Sequence, residues 1–202
     1  MSAVLTSPAQ VCNYALRKAG FKLRVGSLYD GTDQAKACLD IYGQVRDRLL
    51  ATGEWDFAQR TTLGTLLKQA PADYLVTPWS NAYPALPWKY EYAYPTDAVQ
   101  VRGVKIQPAL LPNFDPQYYN FEVANDEGYS PPRKVVLTNV INAILVYAGQ
   151  VTDPTEWNVA FLEAVADALA DPLARVLTSL DNAKMAAVEE MASKGTADME
   201  RG

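Results

Sequence analysis

Apolar residues recur at helical spacing in the first sixty residues of the chain. Ser7 followed by Pro8 predicts a helix start, because serine caps free backbone N–H groups and proline fits the first helical position. The apolar positions behind it fall on one face until Gly20, and they are Val11, Cys12, Ala15, Leu16 and Ala19. After a connector, a second set recurs at spacings of three and four: Cys38, Ile41, Tyr42, Val45 and Leu49. This set predicts a second helix of about twenty residues that ends at Gly53.

The pattern changes between Thr61 and Gly149 to short apolar runs separated by prolines, which is typical of strands and loops. Trp88, Tyr90, Tyr92 and Tyr94 alternate with other residues, so they predict a strand with one aromatic face. Four further runs predict strands of a small antiparallel sheet: Val99–Ile106, Phe121–Val123, Val135–Leu137 and Ile144–Tyr147.

Helical periodicity returns after Asp153-Pro154, with Trp157, Phe161, Val165, Ala168 and Leu169 on one face. Pro172 predicts either a kink or a new helix capped by Asp171, because proline clashes with the carbonyl four residues earlier. Residues 181–193 predict a weaker helix that carries Met185, Val188 and Met191.

These elements predict a mainly helical α+β fold. Residues 1–60 and 150–195 would form a helical bundle, because their apolar stripes must pack on each other. Residues 61–149 would be a small antiparallel β module inserted into that bundle, and residues 196–202 would be a flexible tail.

The composition of the chain argues against several classes of function. The 202 residues include no histidine, which removes the commonest general base and zinc ligand. We therefore predict no enzyme, and no catalytic, cofactor or metal residues. The net charge is −5, and the surplus of acid lies after residue 150, so gripping of nucleic acid through a basic patch is not expected. No run is apolar enough to span a membrane or to serve as a signal peptide, which predicts a protein made in a cytoplasm without a membrane anchor.

The order of features resembles the head-tail connector, or tail tubular protein A, family of short-tailed bacteriophages. The resemblance covers about two thirds of the chain, with residues 105–150 the least distinctive. It is carried by these residues: Ala15-Leu16 through Gly20, Ser27-Leu28, Ala35, Cys38 through Tyr42, Gly53 through Ala58, Tyr90 through Asp97, and the late helix from Trp157 through Phe161, Ala164 and Leu169 to Pro172-Leu173.

The resemblance implies a structural virion protein at the head-tail junction. It would form a homo-oligomeric ring, expected to have twelve copies, beneath the portal protein. The ring would extend the DNA channel, with DNA only as passing cargo, and would provide the platform for the tail nozzle. Residues 181–202 would reach toward the portal, which makes Met185, Val188 and Met191 the predicted portal contacts.

The aromatic residues admit two interpretations. Trp55 and Phe57 with Trp88, Tyr90, Tyr92 and Tyr94 are predicted to form a structural joint between helical and β structure. Alternatively, the aromatic strand face would stack sugars in a carbohydrate-binding or adhesion module of a phage tail.

A third hypothesis is a hydrolase built on Glu54 and Asp56, although such close carboxylates are more typical of helix caps. The acidic series Asp153, Glu156, Glu163, Asp167 and Asp171 is predicted to be mostly the solvated face of an amphipathic helix. In a ring, our hypothesis is that the same charges would line the channel and repel DNA phosphate.

Overall fold

The structure is a computed structural model that describes residues 5–74, 76–106 and 118–199 and, within residues 187–199, the backbone alone. The chain divides into two compact units. Met1–Leu49 and Val151–Gly202 form the first, here called the helical unit, and Leu50–Gln150 form the second, called the β unit.

The helical unit begins with α1 (Pro8–Lys18), where the Ser7 side chain accepts a hydrogen bond from the Gln10 N–H. This confirms the predicted cap. The second helix, α2 (Asp33–Thr52), has the predicted length, and the Thr32 hydroxyl accepts a hydrogen bond from the Ala35 N–H at its start. A short 3₁₀ helix (Pro154–Glu156) then leads into α3 (Val159–Met199), which packs against α1.

Helix α3 is continuous across Pro172 over its 41 residues. Neither a helix boundary at Asp171 nor a separate helix over residues 181–193 is present. Proline removes one backbone hydrogen bond, but the apolar stripe stays in phase on both sides of it. The stripe is buried at every fourth position, at Phe161, Val165, Leu169, Leu173 and Leu177. Burial of those side chains against the unit outweighs the lost bond.

The β unit contains seven strands in two antiparallel sheets among the residues that the structure describes. One sheet has the order β1-β7-β4, and the other has the order β2-β3-β6-β5. The strands are β1 (Gln59–Leu63), β2 (Leu66–Gln69), β3 (Tyr90–Ala93), β4 (Ala98–Lys105), β5 (Phe121–Asp126), β6 (Arg133–Thr138) and β7 (Ile144–Gly149). The last five include the strands predicted from sequence.

Both sheets contribute to one hydrophobic core within the β unit. Tyr92 and Val136 come from the four-stranded sheet, and Val101, Leu145 and Tyr147 come from the three-stranded sheet. The sheets therefore stabilise each other by burying apolar surface, and the β unit has a core of its own.

The predicted mainly helical bundle with a small β insertion is wrong. The protein is a sheet-rich α+β fold, with three helices and seven strands in the described part of the chain. Two causes are visible. Strand β1 is largely exposed and β2 is half-exposed, so both lack the apolar alternation that reveals a strand. In addition, the two or three helices expected at the C-terminal end are one helix.

Candidate functional site

The C-terminal part of α3 is the candidate functional surface. The last side chain of α3 that is buried in the described residues is that of Leu177, and all side chains of residues 178–186 are exposed. We call residues 178–186 the exposed segment. It includes Met185, whose side chain is 63% exposed. The side chains of Val188 and Met191, the other two predicted portal contacts, lie outside the described residues.

One ion pair fastens the exposed segment to its own unit. Lys184 Nζ donates a hydrogen bond of 2.5 Å to Asp33 Oδ2 at the start of α2. This contact lowers the pKa of Asp33 and raises the pKa of Lys184. Both side chains are open to water, where a single ion pair stabilises little. The pair therefore orients the helix without burying it.

The acidic series predicted for a channel is divided by the structure. Lys18 Nζ lies 2.6 Å from Glu163 Oε2 and 2.6 Å from Asp167 Oδ1, and the Tyr14 hydroxyl donates to Glu163 Oε1 at 2.7 Å. These contacts join α1 to α3, and the hydrogen bonds from Lys18 and Tyr14 lower the pKa of Glu163. Asp153 caps the 3₁₀ helix by accepting from the Thr155 N–H, whereas Glu156 and Asp171 are exposed. Two of the five carboxylates therefore have a cation as partner within the helical unit.

Trp55 and Phe57 flank the start of a 3₁₀ helix (Asp56–Ala58) that precedes β1. Both rings are half-buried, and their centroids lie 6.3 Å apart. A Cβ atom on Gly53 would lie 2.3 Å from the indole nitrogen of Trp55, so the ring covers backbone that only glycine leaves accessible. This arrangement fits a packing role at the entry to the β unit.

Arg102 in β4 was not singled out from sequence. Its guanidinium donates to the carbonyls of Leu50, at 2.8 Å, and of Gly53. The last carbonyls of a helix have no partner within the helix and carry partial negative charge, so an arginine there both satisfies and stabilises them. The available signal in the sequence was a charged residue in the middle of a strand, but the carbonyls that Arg102 contacts are remote from it in the chain.

The Tyr-rich strand places its rings on the core side of the four-stranded sheet. Tyr92 is 1% exposed and its hydroxyl donates to the Val140 carbonyl at 2.9 Å, while half-buried Tyr90 and Tyr94 pack against the same core. A sugar that stacked on Tyr92 would have to displace this core. The hydroxyl also accepts a hydrogen bond from the Ala143 N–H, so Tyr92 contributes packing and two buried hydrogen bonds.

Trp88 differs from the three tyrosines. It precedes β3, and its indole N–H donates to Glu122 Oε2 at 2.9 Å. The register pairs Glu122 with Leu137 and Leu137 with Glu91, which puts Glu122 on the sheet face opposite Tyr90 and Tyr92. The expected four-ring face consequently comprises the tyrosines without Trp88.

Asp30 and the two carboxylates considered for hydrolysis, Glu54 and Asp56, have different surroundings. Asp30 accepts hydrogen bonds from the backbone N–H groups of Gly26 and Thr32 and from the Thr32 hydroxyl, and these bonds lower its pKa. Asp30 thereby shapes the loop before α2. Glu54 and Asp56 are both exposed.

Comparison with known proteins adds no family assignment, since no protein-family model and no curated protein matches this chain. Within the residues that the structure describes, none of the helices has the length and apolar character needed to cross a membrane.

Proposed function

We propose that the protein is a head-tail connector subunit of a short-tailed bacteriophage, as the resemblance implies. Its copies would assemble into a ring beneath the portal, extend the DNA channel and carry the tail. One observation supports the proposal most directly: α3 continues beyond its last described buried side chain, Leu177, as a helix with an exposed surface.

A helix gains most of its stability from packing an apolar face, because nucleation and backbone ordering are unfavourable in water. The exposed segment lacks such packing in the described part of the chain, although it carries the apolar residues Leu180 and Met185. In the sequence, Val188 and Met191 follow Met185 at intervals of three, which continues one side of a helix. A groove on a partner would supply the missing apolar surface, and helix-in-groove docking uses this spacing of anchors.

Ring formation would use other surfaces. Each copy would contact the next through different patches on its two flanks, and such head-to-tail contacts close only when the rotation per step divides the circle. Portal rings would act as the template for closure. The protein alone would accordingly be monomeric or weakly associated.

The test is decoration of portal rings, purified from the virus that encodes the chain, by the wild-type protein and by Met185→Asp. A charge at a buried apolar contact should lower the affinity by about tenfold or more. Val76→Asp serves as the matched control, since Val76 is also an exposed apolar residue but lies in the β unit. Electron microscopy would show whether a ring is added, and mass measurement would count its copies.

Portal rings that remain bare in the presence of the wild-type protein would contradict the connector function. Decoration that Met185→Asp leaves unchanged would instead place the contact elsewhere on the molecule.

A further inference from the structure

A groove in the helical unit is lined by cations. Its volume is about 610 Å³, and its lining comes from one side of α1 and from the residues that follow this helix. Arg17 of α1 contributes one cation, and Lys22 and Arg24 contribute two more. No carboxylate lines the groove among the described residues. We call it the basic groove. It differs in charge from the chain as a whole, whose net charge is −5.

The basic groove is held in shape by Asn13 of α1. The side-chain amide of Asn13 donates to the Val25 carbonyl at 2.9 Å, and its oxygen accepts from the Val25 N–H at 2.7 Å. This pair of hydrogen bonds fastens the end of residues 21–25 to α1, and these residues carry two of the three cations. Less conformational freedom is therefore lost when a partner binds there.

The three cations of the basic groove are not used by the fold. None of them forms an ion pair in the part of the chain that the structure describes. The end of α1 does not need them either, since the Phe21 N–H donates to the Leu16 carbonyl at 2.9 Å and the Gly20 N–H donates to the Arg17 carbonyl at 3.0 Å. An anionic partner could therefore bind them without breaking an existing ion pair.

Apolar side chains also line the basic groove. Leu5 and Phe21 are half-buried, and Leu23 is 38% exposed. A nucleic-acid backbone would bind the cations but would leave these apolar side chains in water, and the negative net charge of the chain repels a polyanion. A protein surface with carboxylates beside an aliphatic side chain matches both the cations and the apolar lining.

Such a surface is present in the same unit, at the start of α3. Residues 135–174 contain no lysine or arginine. Asp153 and Glu156 are exposed there, and neither forms an ion pair among the described residues. Val159, the first residue of α3, is 69% exposed. We call these three residues the acidic end. The helix dipole favours carboxylates at a helix start, but it does not account for the exposed valine beside them.

We propose that the basic groove of one copy of this chain binds the acidic end of a second copy. The carboxylates would face the cations, and Val159 would pack against Leu23. The two surfaces differ, so the contact is head-to-tail, and its repetition forms a ring when the rotation per step divides the circle. This inference rests on the proposed connector function for its role in a ring. Both surfaces are open to water, so the contact is weak without a template.

The test is a charge swap between Arg24→Glu and Glu156→Lys. Sedimentation at low ionic strength, without portal, measures the association constant between copies. The wild type should associate weakly, and each variant alone should associate about tenfold less, because like charges then meet in the contact. An equimolar mixture of the two variants should regain the wild-type constant, since the reversed groove of one variant then meets the reversed acidic end of the other.

Arg175→Glu is the matched control. It makes the same change of charge at an exposed arginine of the helical unit that belongs to neither surface, so association should equal that of the wild type. Thermal melting shows whether each variant is folded, and all of the substituted side chains are exposed.

No measurable association of the wild type would overturn the proposal. So would equal losses for Arg24→Glu and Arg175→Glu, or a mixture that associates no better than its components. Saturable binding of a DNA duplex that Arg24→Glu abolishes would assign the basic groove to nucleic acid instead. The same proteins added to portal rings separate this inference from the connector function: rings that Arg24→Glu leaves unchanged would refute the contact alone, whereas portals left bare by the wild type would refute the connector function.

Discussion

The two units differ in how deeply they bury carboxylates, among the residues that the structure describes. In the helical unit, the pairs of Lys18 with Glu163 and Asp167 and of Lys184 with Asp33 lie in contact with water. In the β unit, Glu91 and Asp126 are buried next to Lys68 and Arg133, and these four residues form the charged cluster. Exposed pairs contribute little to folding, whereas a buried pair is tolerated only when its geometry compensates for lost hydration. The difference indicates that the helical unit is held by its apolar stripe and that the β unit also depends on a charge arrangement.

The buried charges also have a consequence for strand register. Glu91 lies between Tyr90 and Tyr92, so a slip of one residue in β3 would put a carboxylate into the hydrophobic core and two tyrosines against the charged cluster. The charged cluster thus penalises the wrong pairing strongly. Exposed pairs such as Lys18 with Glu163 impose no comparable penalty.

The largest effect is expected for Lys68→Ala in the charged cluster. Removal of one partner from a buried ion network leaves charge without compensation and costs about 3–5 kcal/mol. Lys89→Ala is the matched control, because this exposed lysine neighbours the same sheet and should change stability little. Urea unfolding gives the free energies. Equal free energies of unfolding for Lys68→Ala and Lys89→Ala would show that the stability of the β unit does not depend on the charged cluster.

Leu169→Ala tests the apolar stripe of the helical unit. Truncation of a fully buried leucine costs about 2–5 kcal/mol, through lost burial and a residual cavity. Met185→Ala, in the exposed segment of the same helix, should change the free energy of unfolding by no more than about 0.5 kcal/mol. Denaturant titration of both variants measures the difference. A large loss for Met185→Ala would show that the exposed segment already packs within its own chain.

The helical unit was largely predictable from sequence because its side chains repeat in a local pattern. Ser7 and Gly20 bounded α1 correctly, since the serine caps the helix and Gly20 adopts a φ of +87° just beyond it. Pro172 misled the prediction. The local sequence shows that Pro172 removes a backbone hydrogen bond. The burial of Leu169 and Leu173, on either side of Pro172, depends on the rest of the unit and cannot be read locally.

The β unit was harder to predict, for a physical reason. Exposed β1 gains its stability from pairing with β7, a partner some eighty residues later in the chain. The charged cluster is likewise built by register: the predicted aromatic face of β3 implies that Glu91 lies on the opposite face, but its proximity to Asp126 and Arg133 depends on the pairing of three strands. The sequence therefore showed a charged residue, Glu91, among the tyrosines of β3, but it did not show which residues Glu91 would contact.

The pH dependence of stability should separate Glu91 from Asp126. Burial raises the pKa of Glu91 above its ordinary value of 4.5, so the folded state holds the proton more tightly than the unfolded state does. Its contribution is complete below 4.5 and is lost as the pH rises through the raised value. For Asp126, burial opposes ionisation, but hydrogen bonds from Lys68 and Gly128 prevail and lower the pKa, so its contribution is lost as the solution becomes acidic.

Glu91→Gln should accordingly flatten the decline of stability above the ordinary glutamate pKa, while Asp126→Asn should flatten the acid limb. Urea midpoints recorded from acid to neutral pH for the wild type and both variants provide the measurement. Identical profiles for the wild type and Glu91→Gln would show that Glu91 ionises as freely in the folded β unit as in the unfolded chain.

The smallest effect is expected for Lys18→Ala at the contact of α1 with α3. Hydrogen bonds from Lys18 and Tyr14 lower the pKa of Glu163, so loss of the lysine should move that pKa back toward its ordinary value in an NMR titration. Stability should fall only slightly, and the loss should disappear at high salt because water and ions screen exposed charges. Lys184→Ala should behave in the same way at the Asp33 contact. A salt-independent loss as large as that of Lys68→Ala would mean that this contact is desolvated, and the two units would then not differ in how they hold charge.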